Sequence, residues 1–386
     1  MTTADLSPTK SDLPRSTASL KAAHPRDLTL DLLKAFSIFL VVFFHNVQLN
    51  PASVADNIAM LLPSAAVPCF FMVSGALFFS RPFQMRRHLL RTIRFYLVVV
   101  AWKAVYLALY QQWGAQTGGS LRSLFAYLFL FQSLDGVGTA HFWFMEAMLT
   151  VMLAAPFLYL CFHADSSSAG GSRLLPGHST LLVFVLAVLI LFNQGIASGN
   201  LLLAAFSRMI GKPALEITQF GEINPLSFRY SNYMTFYLLG ALLAEHKKQL
   251  SCRTAALLTG GGLLGLLLIK YIQTGSFLWN GLYLDSCYYW CSTMCLASGL
   301  FLLFSRLPAV SCRPLHWIAA GVGPCTLGIF YLHIPLLFLL TPAVFSHLTA
   351  WNGWLLSTVE SLFIILLSLP IIWIGKQIPL IRELFH

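Results

Sequence analysis

Residues 31–46 read DLLKAFSIFLVVFFHN, an apolar run that also contains an acid, a lysine and a histidine. Similar runs of near 20 residues recur along the chain, and a helix needs about 20 residues to cross roughly 30 Å of hydrocarbon. Of the 386 residues, 57% are hydrophobic and 10% are charged, whereas soluble domains carry about 25% charged residues. The runs are continuous, which favours helices over a barrel of alternating strands. The sequence therefore predicts an all-α polytopic integral membrane protein embedded in the lipid bilayer.

Breaks between the apolar runs predict about ten transmembrane helices. We expect them at residues 31–50, 57–80, 90–111, 139–162, 179–195, 230–246, 254–273, 284–305, 322–345 and 354–375. Most of the 24 Lys and Arg residues fall in alternate connecting segments, and this bias places both termini in the cytoplasm. The bias also explains the net charge of +10 without a nucleic-acid partner.

Three regions follow from this pattern. Residues 1–27, rich in Ser, Thr, Pro and Lys, are predicted to form a disordered cytoplasmic tail. Residues 28–376 form the transmembrane domain, and residues 377–386 form a short cytoplasmic C-terminal segment. On the opposite side, residues 112–138 and 196–230 either roof a cavity or serve as ordinary connecting loops. The sequence favours neither alternative.

The cysteines and glycines within the apolar runs indicate packing. Cys287, Cys291 and Cys295 repeat every four residues, and small residues of this kind favour close helix contact in membranes. Their spacing predicts no metal site and no disulfide framework. The glycines at 260–262 also indicate close helix packing.

Lys34 and His45 are eleven residues apart, so in a helix they project from one face and are separated by about 16 Å along the axis. Asp31 lies three residues before Lys34 and can pair with it. Ionisable groups in a span usually face the protein interior or a water-filled cavity. Lys34 alone is typical of an interfacial lysine, and His45 alone is equally well explained as a buried, hydrogen-bonded histidine. Together they indicate a cationic entrance leading to a titratable group, and imidazole can exchange a proton near neutral pH.

The segment RPFQMRRHLLRTIRFY, residues 81–96, supplies further positive charge. Arg87, Arg91 and Arg94 share one helical face by their spacing. Topology alone explains the charge but does not require this facial spacing. A site for phosphate groups and ordinary cytoplasmic bias are both consistent with the pattern.

Several motifs together resemble the acyltransferase-3 family of multi-pass membrane O-acyltransferases. The matching elements, in family order, are Lys34 and His45, FFMVSGALFF at 70–79, RTIR at 91–94, HFWFMEAMLTVMLAAP at 141–156 and GIFYLHIPLL at 328–337. The resemblance covers residues 28 to 375. Lys34 stands where many members have arginine, and Phe95 follows the Arg-x-x-Arg motif where proline is common.

The resemblance implies transfer of an acyl group, usually acetyl from acetyl-CoA, to a hydroxyl of an extracytoplasmic or lipid-linked glycan. The chain is similar to short members of the family that modify surface polysaccharides, including enterobacterial common antigen, and the expected location is the bacterial inner membrane. Acetyl-CoA is then a cosubstrate, and neither a permanently bound cofactor nor a metal is expected. Succinyl and other acyl donors stay open, as does the oligomeric state.

The resemblance assigns His45 as the catalytic general base, and a covalent acyl-histidine is an open alternative. Lys34, Arg87, Arg91 and Arg94 are the expected acyl-CoA ligands. The expected cavity or acceptor-site residues are Asp31, Ser74, His141, Trp143, Glu146, Tyr331 and His333. Packing explains Ser74 more readily than an oxyanion contact does, and Trp143 is equally typical of a sugar platform and of a membrane-interface belt.

Two other functional classes are compatible with intramembrane charges. A transporter or flippase for a glycan-related or acylated substrate is the main alternative, although the chain lacks the internal repeats common in transporters. A non-catalytic sensor that binds acyl-CoA is the second. Turnover of acetyl-CoA by the purified protein separates an enzyme from both.

Overall fold

The computed structural model describes residues 26–46, 59–114, 119–163, 180–213, 229–274, 287–307, 312–347, 353–379 and 381–385. Within these ranges the chain is mainly helical and contains no β-strand. The predicted all-α class is therefore confirmed. Residues 1–25 of the predicted tail and residues 47–58 after the first helix lie outside the described residues.

The first part of the chain forms these helices: α1 (Leu28–His45), α2 (Ala66–Phe79), α3 (Met85–Gln112), α4 (Leu121–Phe129), α5 (Trp143–Phe162), α6 (Thr180–Ile190) and α7 (Ile196–Met209). Short 3-10 turns at Leu62–Ala65 and Ala140–Phe142 lead into α2 and α5. The second part forms α8 (Asn232–His246), α9 (Cys252–Thr274), α10 (Cys291–Phe304), α11 (Arg313–Gly321), α12 (Thr326–Ala343) and α13 (Gly353–Gln377). Further 3-10 turns occupy Gly323–Cys325, Phe345–His347 and Arg382–Phe385.

Within the described ranges, eight helical stretches are long and apolar enough to cross a membrane. They are Leu28–His45, Leu62–Phe79, Met85–Gln112, Ala140–Phe162, Leu181–Met209, Cys252–Gln273, Arg313–Ala343 and Gly353–Gln377. The predicted spans at 230–246 and 284–305 correspond to α8 and α10, which are 15 and 14 residues long. At about 1.5 Å per residue, both are shorter than the hydrocarbon core. The chain is polytopic, as predicted, while the orientation of its termini stays a prediction.

Two predicted boundaries were wrong. The fifth span was expected to end at 195, but a π-helical turn at Leu191–Gly195 carries the helix on into α7. The helix continues through the polar pair Asn193 and Gln194, which are both buried, and Ser231 donates to the Asn193 side chain at 3.0 Å. The ninth span begins earlier than residue 322, because α11 precedes it.

Glycines set the closest helix contacts of the bundle. A Cβ added at Gly75 in α2 would lie 1.8 Å from the carbonyl oxygen of Tyr237 in α8. A Cβ at Gly240 in α8 would lie 2.1 Å from the carbonyl oxygen of Met72. In the 260–262 triplet, Gly262 packs against α10, whereas Gly260 has open space beside it. Glycine therefore fixes the α2–α8 distance, which positions the wall of the site described below.

Helix α1 runs through the middle of the bundle and contacts α2, α10, α11, α12 and α13. Leu33, Ile38 and Val42 are completely buried along its length. Asp27 caps its start, since its carboxylate accepts from the backbone N–H groups of Thr29 and Leu30. The helix ends at His45 with Asn46 as its C-cap, so the imidazole lies at a helix terminus. Residues 47–50 of the predicted first span lie outside the described residues.

Candidate active site

Three histidines meet at the end of α1, and we call them the histidine cluster: His45, His141 and His333. The ring centroids of His45 and His333 are 4.9 Å apart, those of His141 and His333 are 5.5 Å apart, and those of His45 and His141 are 6.2 Å apart. His141 and His333 are buried, while His45 is exposed. The sequence named each residue separately, and the fold brings all three together.

Hydrogen bonds define the proton positions on the three rings. Nδ1 of His45 lies 2.8 Å from the carbonyl oxygen of Val41, so this nitrogen donates and the lone pair of the neutral ring is on Nε2. Nδ1 of His333 lies 2.6 Å from the carbonyl oxygen of Phe330, which fixes the same tautomer. Among the described residues, the buried Nε2 of His333 has no hydrogen-bond partner.

The third ring adopts the opposite tautomer. The hydroxyl of Tyr106 donates to the carbonyl oxygen of Tyr331 at 2.8 Å, so it accepts from Nε2 of His141 at 3.1 Å. Trp102 stacks on Tyr331 at 4.9 Å and helps to hold α3 against α12. In the described part of the chain, no group of His, Cys, Asp or Glu has the arrangement of a metal site. The cluster is thus a set of three oriented imidazoles suited to hydrogen bonding and proton transfer.

A small chamber lies beside the histidine cluster. Its volume is about 40 Å³, and His45, His141 and Trp143 are its polar lining residues. Its apolar walls are Val41, Phe44, Pro63, Val67, Phe70, Phe144, Tyr288 and Phe330. A volume of this size holds a few heavy atoms but not a sugar ring.

A second cavity, the arginine cavity, has a volume of about 530 Å³ and is lined by Arg81, Arg91, Arg94, His88 and Ser74, together with apolar residues. The three arginines are exposed, and Arg94 forms an ion pair with Glu383. His88 is buried, and its Nε2 bonds to the carbonyl oxygen of Met152 at 2.8 Å. The cavity therefore presents several cations around one opening, as a polyanionic ligand requires.

The arginine cavity approaches the chamber to within about one helical turn. On α2, Phe70 lines the chamber and Ser74 lines the arginine cavity, four residues further along. On α5 the same relation holds between Phe144 and Met148. Four residues correspond to about 6 Å along a helix. The rings of Phe70 and Phe144, 5.8 Å apart, lie at the boundary between the two spaces.

A third space, which we call the Lys103 cavity, has a volume of about 910 Å³. Its charged and aromatic lining residues include Lys103, Phe131, Trp143, Glu146, Arg229 and Tyr230. Trp143 also lines the chamber, so the two spaces meet at this indole. The hydroxyl of Tyr230 donates to Glu146 at 2.9 Å, and Arg229 lies 3.6 Å from the same carboxylate. This cavity has the size and the mixture of aromatic and polar groups that sugars require.

The other predicted site residues lie in different surroundings. Lys34 pairs with Asp31 at 2.6 Å, as the spacing predicted, and Arg26 pairs with the same carboxylate. Tyr331 is completely buried, and its hydroxyl donates to the sulfur of Met145 at 3.3 Å. Arg87 is exposed and is not among the residues that line the arginine cavity. These placements leave the roles expected for the four residues as predictions.

Several residues of the site were missed in the sequence. Tyr106 orients His141, and Tyr230 holds Glu146, yet an isolated tyrosine in an apolar run carries no distinguishing signal. Lys103 did carry a signal, because an ionisable residue within a span suggests a functional role. The sequence offered no partner from which to assign that role.

Comparison with protein families identifies the chain as a membrane acyltransferase. The family described as acyltransferase domain, the acyltransferase-3 family, matches residues 27–375. The chain belongs to this family, and the resemblance seen in its motifs is confirmed. No curated protein and no solved structure shows a significant match to the chain.

Proposed function

We propose that this acyltransferase moves an acetyl group, or a similar short acyl group, from cytoplasmic acyl-CoA to a hydroxyl of an extracytoplasmic or lipid-linked glycan. The observation that carries the proposal is the position of the chamber at His45. It lies about one helical turn from the arginine cavity and shares Trp143 with the Lys103 cavity. A donor and an acceptor can therefore approach one imidazole from different spaces.

The arginine cavity is the proposed donor site. Arg91 and Arg94 bind the phosphates of CoA by charge-assisted hydrogen bonds, and Lys34 adds positive charge where α1 begins. The narrow pantetheine arm passes the boundary near Phe70 and Phe144 and brings the thioester to His45. The chamber volume of about 40 Å³ suits an acetyl group better than a longer acyl chain.

His45 acts as the general base in this proposal. The acceptor oxygen attacks the thioester carbonyl carbon while its proton moves to Nε2 of His45. The tetrahedral intermediate then loses the CoA thiolate as the C–S bond breaks, and the thiolate recovers the proton from His45. The bond from Nδ1 to Val41 keeps the ring in the tautomer that this transfer needs.

His333 is the proposed positioning residue for the acceptor. Its Nε2 is buried and lacks a hydrogen-bond partner among the described residues. A buried acceptor atom of this kind is costly unless a ligand satisfies it. A neighbouring hydroxyl of the acceptor therefore donates to Nε2 of His333, while the reacting hydroxyl donates to Nε2 of His45.

The test uses the purified protein in lipid nanodiscs with acyl-CoA labelled in the acyl group. We expect the label to move to a glycan, and surface glycans of a deletion strain to lack the mass of one acyl group that complementation restores. The bacterial inner membrane is the expected location of the activity. Binding of acyl-CoA without any turnover would contradict the proposal and favour a sensor. Export of an unmodified glycan without thioester cleavage would favour a transporter.

The same labelled donor distinguishes direct transfer from a covalent route. If His45 carries the acyl group, quenching the reaction before acceptor is added leaves label on the protein. Direct transfer leaves none, and in both cases the label reaches the glycan at completion.

A further inference from the structure

Lys103 is a buried cation that lines the Lys103 cavity. It is 2% exposed, and its Nζ lies 4.5 Å from the ring centroid of Tyr127 and 5.3 Å from that of Phe131. Its hydrogen bond, to the carbonyl oxygen of Gln132, is 3.4 Å long. An ammonium group has three donors, and in the part of the chain that the structure describes no acid forms an ion pair with this one. The two rings and the carbonyl oxygen hold the ammonium group at the wall of the cavity.

The other charges of the cavity compensate each other. Glu146 accepts from the hydroxyl of Tyr230 and lies 3.6 Å from Arg229. The same carboxylate also attracts the Lys103 ammonium. The three charged lining residues, Lys103, Glu146 and Arg229, together carry one net positive charge, which corresponds to one negative charge on the occupant.

Backbone strain in the described residues is concentrated at the same cavity. Phe131, with φ of 56°, and Tyr230, with φ of 72°, are the described non-glycine residues in the left-handed region, and both line it. Such conformations are energetically unfavourable and cluster at ligand clamps and active sites. Phe131 places its ring near the Lys103 ammonium, and Tyr230 holds Glu146. The strained residues thus shape the polar contacts of the cavity.

We infer that Lys103 binds a carboxylate of the acceptor, so that the acceptor is an acidic saccharide with one carboxylate on the sugar inside this cavity. The inference rests on the proposed function and names its substrate class. Trp143 and Tyr230, whose ring planes are inclined by only 25°, offer flat surfaces for the sugar ring. One net positive charge in the lining matches a single carboxylate better than the higher charge of a diphosphate.

The test measures binding without turnover, in the full-length His45→Ala protein in nanodiscs without acyl donor. The probes are an aldobiouronic acid, which has one carboxylate, and its uncharged methyl ester, each titrated by calorimetry. We expect the acid to bind about 10- to 100-fold more tightly than the ester. We expect Lys103→Gln to remove this preference and Lys103→Arg, which keeps the charge, to retain most of it.

The matched control is Lys270→Gln, which changes another completely buried lysine, in α9 and away from the cavity lining. It should keep the preference for the acid. Equal binding of acid and ester by the protein with Lys103 intact would overturn the inference, as would a preference that persists in Lys103→Gln. Tighter binding of a sugar phosphate than of the acid would overturn the choice of carboxylate. None of these outcomes depends on thioester turnover, so failure here and failure of the proposed function are separate results.

Discussion

The arginine cavity and the Lys103 cavity both present cations, but they hold them in opposite ways. Arg91 and Arg94 are exposed, and Arg94 shares its charge with Glu383. Lys103 is buried beside two aromatic rings. One of them belongs to Phe131, whose backbone has a strained, positive φ. Exposed arginines adapt to a flexible polyanion and are weakened by salt, whereas a fixed buried cation selects one ligand geometry. Under the proposed function, this contrast predicts that the donor is bound mainly by charge and that the acceptor is also selected by the fixed geometry of its cavity.

The largest expected effect comes from the residue between the two cavities. His45→Ala should reduce acyl transfer by about 10²–10⁴-fold, because general-base catalysis contributes that much. Binding of acyl-CoA in the arginine cavity and of acceptor in the Lys103 cavity should persist. Transfer of labelled acyl groups by equal amounts of purified protein measures the loss.

His163→Ala is the matched control for this change, because His163 is an exposed histidine just beyond the other end of α5. It should transfer acyl groups at the normal rate. If His45→Ala also transferred at near the normal rate, the imidazole could not be the base, and the two cavities would have to meet elsewhere.

The second effect concerns the wall of the arginine cavity. Gly75→Ala would place a Cβ 1.8 Å from the carbonyl oxygen of Tyr237, a contact that only separation of α2 and α8 relieves. Ser74 and Tyr237 both line the arginine cavity. We expect a loss of roughly 3 kcal/mol in stability, measured as a lower unfolding temperature, together with a higher KM for acyl-CoA.

Gly260→Ala provides the control, because nothing lies within 4 Å of a Cβ added there. Alanine has a higher helix propensity than glycine, so this variant should be as stable as the parent or slightly more stable. An unchanged unfolding temperature in Gly75→Ala would show that the α2–α8 contact is looser than described.

The two cavities also differ in how far the sequence predicts them. The arginine cavity takes Ser74, Arg91 and Arg94 from two motifs that the family resemblance identified, and helical spacing had also placed the two arginines on one face. The Lys103 cavity is assembled from α3, the segment after α4, the start of α5 and the start of α8. No local pattern connects those segments, because the tertiary fold alone brings them together. The histidine cluster is intermediate, since each member was recognised in the sequence but their mutual distances were not.

The fold itself was predictable where composition decides it. Apolar runs gave most spans, because backbone groups in lipid require helices. The continuation of α6 into α7 was missed because the apolar run is interrupted by Asn193 and Gln194, and local composition does not show that Ser231 donates to Asn193 inside the bundle. When only local composition is used, buried polar residues within a helix are therefore predicted as the end of a span.

A third, smaller effect tests the donor end. Replacing both Arg91 and Arg94 by alanine should raise the KM for acyl-CoA about tenfold at low salt, because two exposed charge-assisted contacts are lost. The KM of the parent protein should rise with ionic strength, and that of the variant should rise less. Arg86→Ala, an exposed arginine that does not line the cavity, is the control. An equal rise in both variants would point to general surface charge instead of a site.

The smallest effect tests the acceptor end. Tyr230→Phe keeps the ring but removes the hydroxyl that donates to Glu146 at 2.9 Å. Loss of one hydrogen bond to a charged group should raise the KM for the acceptor about 3- to 10-fold, with the KM for acyl-CoA unchanged. Steady-state kinetics with each substrate varied in turn separates the two constants, and Tyr271→Phe, an exposed tyrosine of α9, serves as the control. A rise in the KM for acyl-CoA instead would mean that the donor also occupies the Lys103 cavity. The assignment of the arginine cavity to the donor and of the Lys103 cavity to the acceptor would then be wrong.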